Sequence, residues 1–233
     1  MLFTAGISSS FAQSLKDLIK QKTTQFNKSS SNGSTNNEIA NALKQALTIG
    51  AEKGAAELAK PDGFFKNAAL KILLPPEAQK IESTLRSVGM GKQVDEAILS
   101  INRAAEDACK TAAPIFVTAI KDLTVTDAVN ILKGNDTAAT SYLKGATTTP
   151  LTNAFKPIIE SSLQKTNATK HWSILVTAYN KFSLRKLNPA LSDYVTEKAL
   201  SGIYTQIALE EKNIRQNPAA RATDLLKKVF GAN

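Results

Sequence analysis

The sequence predicts an all-α protein: a single multi-helix domain of about nine or ten helices, some of them short, preceded by a disordered N-terminal segment. Hydrophobic residues make up 42% of the 233 residues, enough for a sizeable core, whereas aromatic residues make up only 6%. A core of small aliphatic side chains favours packed helices over a β-sandwich or barrel. Apolar residues also recur every three or four positions, and no segment of useful length alternates apolar and polar residues as a strand does.

Residues 1–12 predict the end of a secretory signal peptide. No side chain in this stretch is charged, and the small residues Ser10 and Ala12 stand where a signal peptidase site needs them. The basic segment that opens a complete signal peptide is missing, so either the true start lies upstream or this stretch is a disordered tail. Residues 13–35 end in a Ser, Asn and Gly run typical of a flexible polar linker. The helical domain is predicted to occupy residues 36–233.

The predicted signal peptide indicates an exported protein of the bacterial periplasm. The single cysteine, Cys109, excludes an intramolecular disulfide and a cysteine-based metal cluster within one chain. Because Cys109 lies on an apolar stripe, we expect a buried thiol rather than a reactive one. No segment contains the roughly 20 apolar residues that a transmembrane helix needs.

The formal charge of +9 is unevenly distributed, because residues 36–145 are neutral while residues 146–190 are strongly basic. Aromatic residues interleave with these basic residues, as in some single-stranded nucleic-acid sites. Trp172 and Tyr179, however, share a helical stripe with Val176, so we expect them in the core. The sequence therefore gives little support to nucleic-acid binding. It predicts a solvated basic face that could contact an anionic envelope component or a protein partner.

Proline and glycine divide the first half of the domain into helices. The sequence Pro61-Asp62-Gly63 stops the first helix, Pro75-Pro76 opens another, and Pro114 forces a kink or a new start. The predicted helices are residues 36–60, residues 64–73, one that opens at residue 76, a long one from residue 92, and residues 115–123.

In the second half, two Leu-Lys-Gly sequences, at residues 132–134 and 143–145, predict two helix ends. Each would have a lysine in its last turn and a glycine in the left-handed conformation. Thr149-Pro150 then predicts the first turn of a new helix. The remaining predicted helices are residues 150–165, 168–183 and 191–216, followed by a last one from Pro218 to Gly231.

Known catalytic patterns find no match in this sequence. His171 is the only histidine, and neither a Gly-x-Ser-x-Gly nucleophile turn nor a phosphate-binding loop is present. Glu210 and Glu211 are adjacent, so on a helix they point about 100° apart and do not converge on one ion. We therefore expect no cofactor and no metal site. Charged residues that could still meet in one cleft form a candidate polar cluster: Arg103, Glu106, Asp127, Glu210, Glu211, Arg215 and Arg221. Within it we expect Arg103 to reach Glu106 or Asp107 and Glu211 to pair with Arg215.

Three segments together resemble one bacterial protein family. They are INRAAEDA (residues 101–108), KDLTVTDAVNILKGNDTAATSYL (residues 121–143) and EEKNIRQNPAARATDLLKKVFG (residues 210–231). The family is catalogued as domain of unknown function 4197, and the similarity spans about residue 38 to the end. The resemblance implies an exported, mainly helical protein, and it implies no activity, cofactor or catalytic residue. Ala222 stands where the family pattern has a second threonine, which affects only a local helix cap.

Three functional hypotheses follow. The leading one is a non-enzymatic periplasmic or envelope-associated helical protein with a binding or structural role. The alternative is a carrier of an apolar or anionic small ligand, which would require a closed apolar cavity between helices. The least favoured is an enzyme that uses the candidate polar cluster, which would require those residues in one cleft.

The closing segment predicts a structural lock. A helix that ends near Asn217 would be followed by a helix with an apolar face formed by Leu225, Leu226, Val229 and Phe230. Arg215 and Arg221 would then pair with carboxylates of the body.

Overall fold

The computed structural model describes residues 35–166, 168–182 and 191–217, and all regular structure in these residues is helical. The all-α, single-domain prediction is confirmed. The predicted signal peptide, the linker up to residue 34 and the predicted last helix from Pro218 lie outside the described residues. The α-helices are α1 (Thr35–Ala59), α2 (Pro76–Leu85), α3 (Gly91–Cys109), α4 (Ala112–Lys121), α5 (Val125–Lys133), α6 (Ala138–Lys165), α7 (Ala168–Phe182) and α8 (Leu191–Gln216). A kinked turn, Arg86–Met90, joins α2 to α3, and Val88 and Gly89 within it have non-helical dihedral angles.

Helix α3 lies at the centre of the fold and packs against α1, α6, α7 and α8. Its buried face consists mainly of alanine and isoleucine, and these small side chains let the neighbouring helices approach closely. Cys109 is 1% exposed, and burial raises the pKa of its thiol well above the usual range. This confirms the predicted buried thiol. Trp172 and Val176 are also buried, as expected from their shared stripe.

The continuity of α6 corrects the prediction for residues 138–165. The helix runs through Gly145 and Pro150, so the predicted helix end at Gly145 and new start at Thr149-Pro150 are wrong. A buried residue recurs at every fourth position along it, and packing of this stripe against α3 and α8 outweighs the cost of an internal proline. The stripe comprises Ala139, Leu143, Thr147, Leu151, Phe155, Ile159 and Leu163.

The other Leu-Lys-Gly sequence does end a helix, since α5 stops at Lys133. Gly134 has an extended conformation, with φ −76° and ψ −176°, instead of the predicted left-handed one. Pro114 lies in the first turn of α4, so it starts a helix and does not kink one.

The predicted helix over residues 64–73 is wrong. The chain forms turns and irregular structure between the end of α1 and the start of α2. Its backbone groups bond to side chains of α3, which competes with the helical hydrogen-bond pattern. Its aromatic residue Phe64 is fully buried, and its ring packs against the backbone of Gly202 on α8.

A pair of glycine substitutions tests this packing. In Gly202→Ala, the new Cβ would lie 2.5 Å from Cε1 of Phe64, so we expect a loss of about 1–3 kcal/mol in the free energy of unfolding. In Gly145→Ala, the new Cβ meets no atom within 4 Å, so we expect a gain of up to about 1 kcal/mol from helix propensity. Urea denaturation followed by circular dichroism measures both. A destabilised Gly145→Ala variant would contradict the continuous α6.

Candidate functional site

The buried carboxylate of Glu106, on α3, holds the turn that follows α1. Its Oε1 atom accepts hydrogen bonds from the backbone N–H groups of Phe64 (3.1 Å) and Phe65 (3.2 Å). Its Oε2 atom accepts one from Arg103 at 2.6 Å, and Arg103 also donates to Asp62 at 2.6 Å. Asp62 has a positive φ of 71°, a conformation that non-glycine residues rarely adopt. The carboxylate and guanidinium of α3 therefore fix a tight turn.

Asn102 holds the next part of the same segment. Its side-chain oxygen accepts a hydrogen bond from the N–H of Ile72 at 2.9 Å, and its Nδ2 atom donates to the carbonyl of Ile72 at 2.8 Å. A fully buried amide thus satisfies both backbone groups of one residue, as a neighbouring strand would. Sequence analysis missed Asn102. The sequence did contain a signal for a buried polar contact, because Asn102 lies on the apolar face of α3.

Glu211, on α8, caps the N-terminus of α6. Its two oxygens accept hydrogen bonds from the N–H groups of Ala139 (3.0 Å) and Thr140 (2.8 Å), and from the Thr140 hydroxyl (2.8 Å). The first N–H groups of a helix lack acceptors within the helix. A negative charge at this end also interacts favourably with the helix dipole. Thr137, the residue before α6, makes no side-chain cap. Glu211, from α8, provides this N-terminal cap instead.

Arg215 extends this contact to the end of α5. Its guanidinium bonds to Glu211, with a nitrogen–oxygen distance of 2.9 Å, and donates to the carbonyls of Ile131 (2.8 Å) and Leu132 (3.2 Å). These carbonyls belong to the last turn of α5, and no further helical turn follows to supply N–H donors to them. Glu211 and Arg215 together, here termed the α5–α6 clamp, join the end of one helix to the start of the next. The predicted Glu211–Arg215 pair is confirmed.

Glu210 has a separate partner. Its carboxylate pairs with Lys53 of α1 at 2.7 Å, near the surface. The two adjacent glutamates therefore point to different helices, as their angular separation on α8 requires. One ties α8 to α1, and the other caps α6.

The candidate polar cluster is thus divided among separate places. Glu106 binds the backbone of Phe64, which packs on Gly202, and Gly202 precedes Glu211 by nine residues, about 13 Å along α8. Asp127 caps α5, and hydrogen bonds from Thr124 lower the pKa of its carboxyl. Arg221 lies outside the described residues. In the described part of the chain, no group of three or more His, Cys, Asp or Glu side chains could hold a metal ion. The six members of the cluster that the structure describes therefore do not form a single cleft.

An open groove of about 410 Å³ lies between α4 and α6. Its walls are small and apolar, with two threonine hydroxyls, one phenol and one carboxylate. It is lined by Pro114, Ile115, Thr118, Ala119, Asp122, Tyr142, Ala146, Thr147 and Pro150.

The sequence of α6 explains why the groove is open. Ala146 has too small a side chain to fill the space towards α4. Because Pro150 has no N–H, it also leaves the carbonyl of Ala146 without the usual helical hydrogen bond. Sequence analysis did not find this groove, because it divided α6 into two helices at this point.

One end of the groove contains a single carboxylate, that of Asp122. Tyr142 is half-buried there, and burial, with smaller contributions from the charges of Asp127 and Asp122, raises the pKa of its phenol. The phenol is therefore neutral at ordinary pH and can donate a hydrogen bond. A carboxylate beside apolar walls favours a ligand that combines apolar surface with a basic group.

A substitution pair tests the α5–α6 clamp. Glu211→Ala leaves a buried guanidinium and two helix N–H groups without their carboxylate, so we expect a loss of about 3–5 kcal/mol in the free energy of unfolding. Glu210→Ala removes only the near-surface pair with Lys53, and we expect a change within about 1 kcal/mol. Chemical denaturation of both variants measures the difference. Equal losses would show that Glu211 does not act as a buried cap.

No described helix combines the length and apolar composition needed to cross a membrane. No curated protein and no solved structure matches the chain. One family model matches residues 33–231, nearly the whole of the helical domain, and it is described as a protein of unknown function, DUF4197. The earlier resemblance is therefore confirmed, and the chain belongs to the DUF4197 family.

Proposed function

We propose that this chain is a non-enzymatic binding protein of the bacterial cell envelope that holds an apolar and basic segment of a partner protein in the α4–α6 groove. The observation that carries this proposal is the groove itself, with apolar walls and one carboxylate, that of Asp122. Its volume of about 410 Å³ lies within the usual range for ligand sites. Grooves between helices commonly bind the apolar face of a partner helix.

Rigid helices support both walls. Phe116 and Ile120 anchor α4 in the core, and Leu143 and Leu151 anchor α6 on either side of the groove residue Ala146. A preformed surface lowers the entropic cost of binding, because little of the protein must be ordered when the partner arrives. The groove contains Tyr142 and only one charged residue, and tyrosine enrichment with few charges is typical of the centre of an interface.

The remaining conspicuous polar groups support binding over catalysis. Glu106, Asn102, Glu211 and Arg215 are all engaged with backbone groups, so their chemistry is already used to hold the fold. The carrier hypothesis required a closed cavity, whereas the α4–α6 space is open to solvent. An open groove suits an extended chain segment or helix better than an enclosed small ligand.

The envelope location rests on the N-terminal sequence, in which uncharged residues precede Ser10 and Ala12. We expect the native protein in the periplasmic fraction of its host, as a chain that begins at Gln13. Fractionation followed by N-terminal sequencing measures this. A cytoplasmic chain that keeps residues 1–12 would contradict the location without affecting the groove.

Site-specific photo-crosslinking tests the proposed binding. A photoreactive residue in place of Ala146, introduced in the native host, should capture a partner, whereas one in place of the exposed Lys165 at the far end of α6 should not. The captured segment should be apolar and carry Lys or Arg. As a synthetic peptide it should bind the wild-type protein saturably and Ala146→Arg at least tenfold more weakly.

The matched control for Ala146→Arg is Ser141→Arg, another exposed position of α6 that does not line the groove. It should bind the peptide as the wild type does. Equal binding by both arginine variants would reject the groove as the site. Capture of a small apolar ligand instead of a protein would favour the carrier hypothesis.

A further inference from the structure

We propose that Tyr204, on α8, is a positioning residue for the α4–α6 groove: its side chain contacts the supports of both walls and sets the distance between them. The inference rests on the proposed function for the role of the groove, and it adds the residue that controls how the groove holds its ligand. Tyr204 is 6% exposed and does not line the groove, so it acts through the residues that it contacts. The distance between the walls can be measured without any ligand.

The hydroxyl of Tyr204 bonds to α6. Its oxygen lies 2.9 Å from Oγ1 of Thr147 and 3.2 Å from Oγ1 of Thr148. Each threonine hydroxyl already donates its hydrogen, at 2.6 Å, to the backbone carbonyl four residues earlier. A hydroxyl has one hydrogen, so the threonines must accept and the phenol of Tyr204 must donate. The shorter distance makes Thr147, a residue that lines the groove, its main acceptor.

The ring of Tyr204 packs against α4. It meets the ring of Phe116 edge to face, with 6.1 Å between the ring centroids and 78° between the ring planes. Phe116 is fully buried, and two residues beside it on α4, Ile115 and Ala119, line the groove. Because edge-to-face pairs have a preferred separation, this contact fixes the position of α4 relative to Tyr204. One side chain therefore contacts the supports of both walls.

Helix α6 can bend close to the point where Tyr204 bonds to it. Pro150 has no N–H, so the helix lacks one internal hydrogen bond within a turn of Thr147. The bonds from Thr147 and Thr148 to earlier carbonyls also favour a bend. A bend here would move the wall of α6 relative to α4 and change the width of the groove. The bond from Tyr204 therefore restrains α6 where its own hydrogen bonds are incomplete.

The core of the protein holds Tyr204 itself in place. Phe64 packs against the backbone of Gly202, two residues earlier on α8. Ile203 and Ile207, on either side of Tyr204 in the same helix, are buried. Because packed side chains in a core have little freedom to move, the phenol is a fixed donor that faces a helix able to bend. The position of Tyr204 therefore determines the position of the α6 wall.

Distances measured by pulsed electron paramagnetic resonance test this role in the full-length chain. Nitroxide labels on Lys121→Cys of α4 and Thr149→Cys of α6 occupy exposed positions that do not line the groove. Cys109 is 1% exposed, so in the folded chain only the two introduced thiols react. Tyr204→Phe keeps the ring and removes the donor. We therefore expect the distribution of distances between the labels to shift and to broaden.

Tyr194→Phe is the matched control, because it removes from the same helix a phenol hydroxyl that bonds to the carbonyls of residues 73 and 74. It should leave the distance distribution unchanged. Thr147→Val removes the acceptor and keeps the shape, so it should reproduce the effect of Tyr204→Phe. The double variant should then show no further change. The emission of Trp172, the single tryptophan and a buried one, verifies that each variant keeps its core.

Binding of the synthetic peptide that carries the crosslinked segment is the functional readout. Tyr204→Phe should bind it about threefold to tenfold more weakly than the wild type, the effect of about one hydrogen bond, and Tyr194→Phe should bind it as the wild type does. An unchanged distance distribution in Tyr204→Phe, an equal change in Tyr194→Phe, additive effects of Tyr204→Phe and Thr147→Val, or unchanged peptide binding by Tyr204→Phe would overturn the inference. A changed distribution with no captured peptide would instead reject the proposed function and leave Tyr204 as the residue that spaces the walls.

Discussion

The buried ion pair of Glu211 and Arg215 is the interaction on which the arrangement of the second half of the fold depends. Removing two charges from water is costly, and their mutual attraction alone does not always offset that cost. Here each ion also bonds to backbone groups at a helix end, the N–H groups at the start of α6 and the carbonyls at the end of α5. The pair therefore contributes to capping both helices and holds the end of one against the start of the other. The position of α6, and with it one wall of the groove, depends on this contact.

Asn102 and Glu106 likewise hold the irregular chain between α1 and α2 in place through side-chain bonds to its backbone. Both lie on α3, the central helix, and both bind backbone groups at a distance of at least 30 residues in sequence. Asn102 and Glu106 lie in the segment INRAAEDA, and Glu211 lies in the segment of residues 210–231, so both segments contain side chains that bind backbone groups. The motifs hold backbone in place, so they identify a fold without identifying a reaction.

The sequence predicted the helical class, the helix boundaries at Pro76 and Lys133, and the Glu211–Arg215 pair, because each depends on contacts between near neighbours. It failed at Pro150 and at residues 64–73, where partners distant in sequence decide the outcome. Around Pro150, the sequence already showed core residues recurring at every fourth position. The local signals for a helix end at Gly145 and a helix start at Pro150 were given more weight. The groove needs the relative position of α4 and α6, which no local pattern contains.

The clamp and the groove are linked through α6. Glu211 and Arg215 hold the start of α6 against the end of α5. Tyr142, Ala146 and Pro150 of the same helix line the groove. Weakening the clamp would therefore displace one wall of the groove as well as lower the stability, because the position of that wall is set at the start of α6. A residue that does not line the groove can in this way affect what the groove binds.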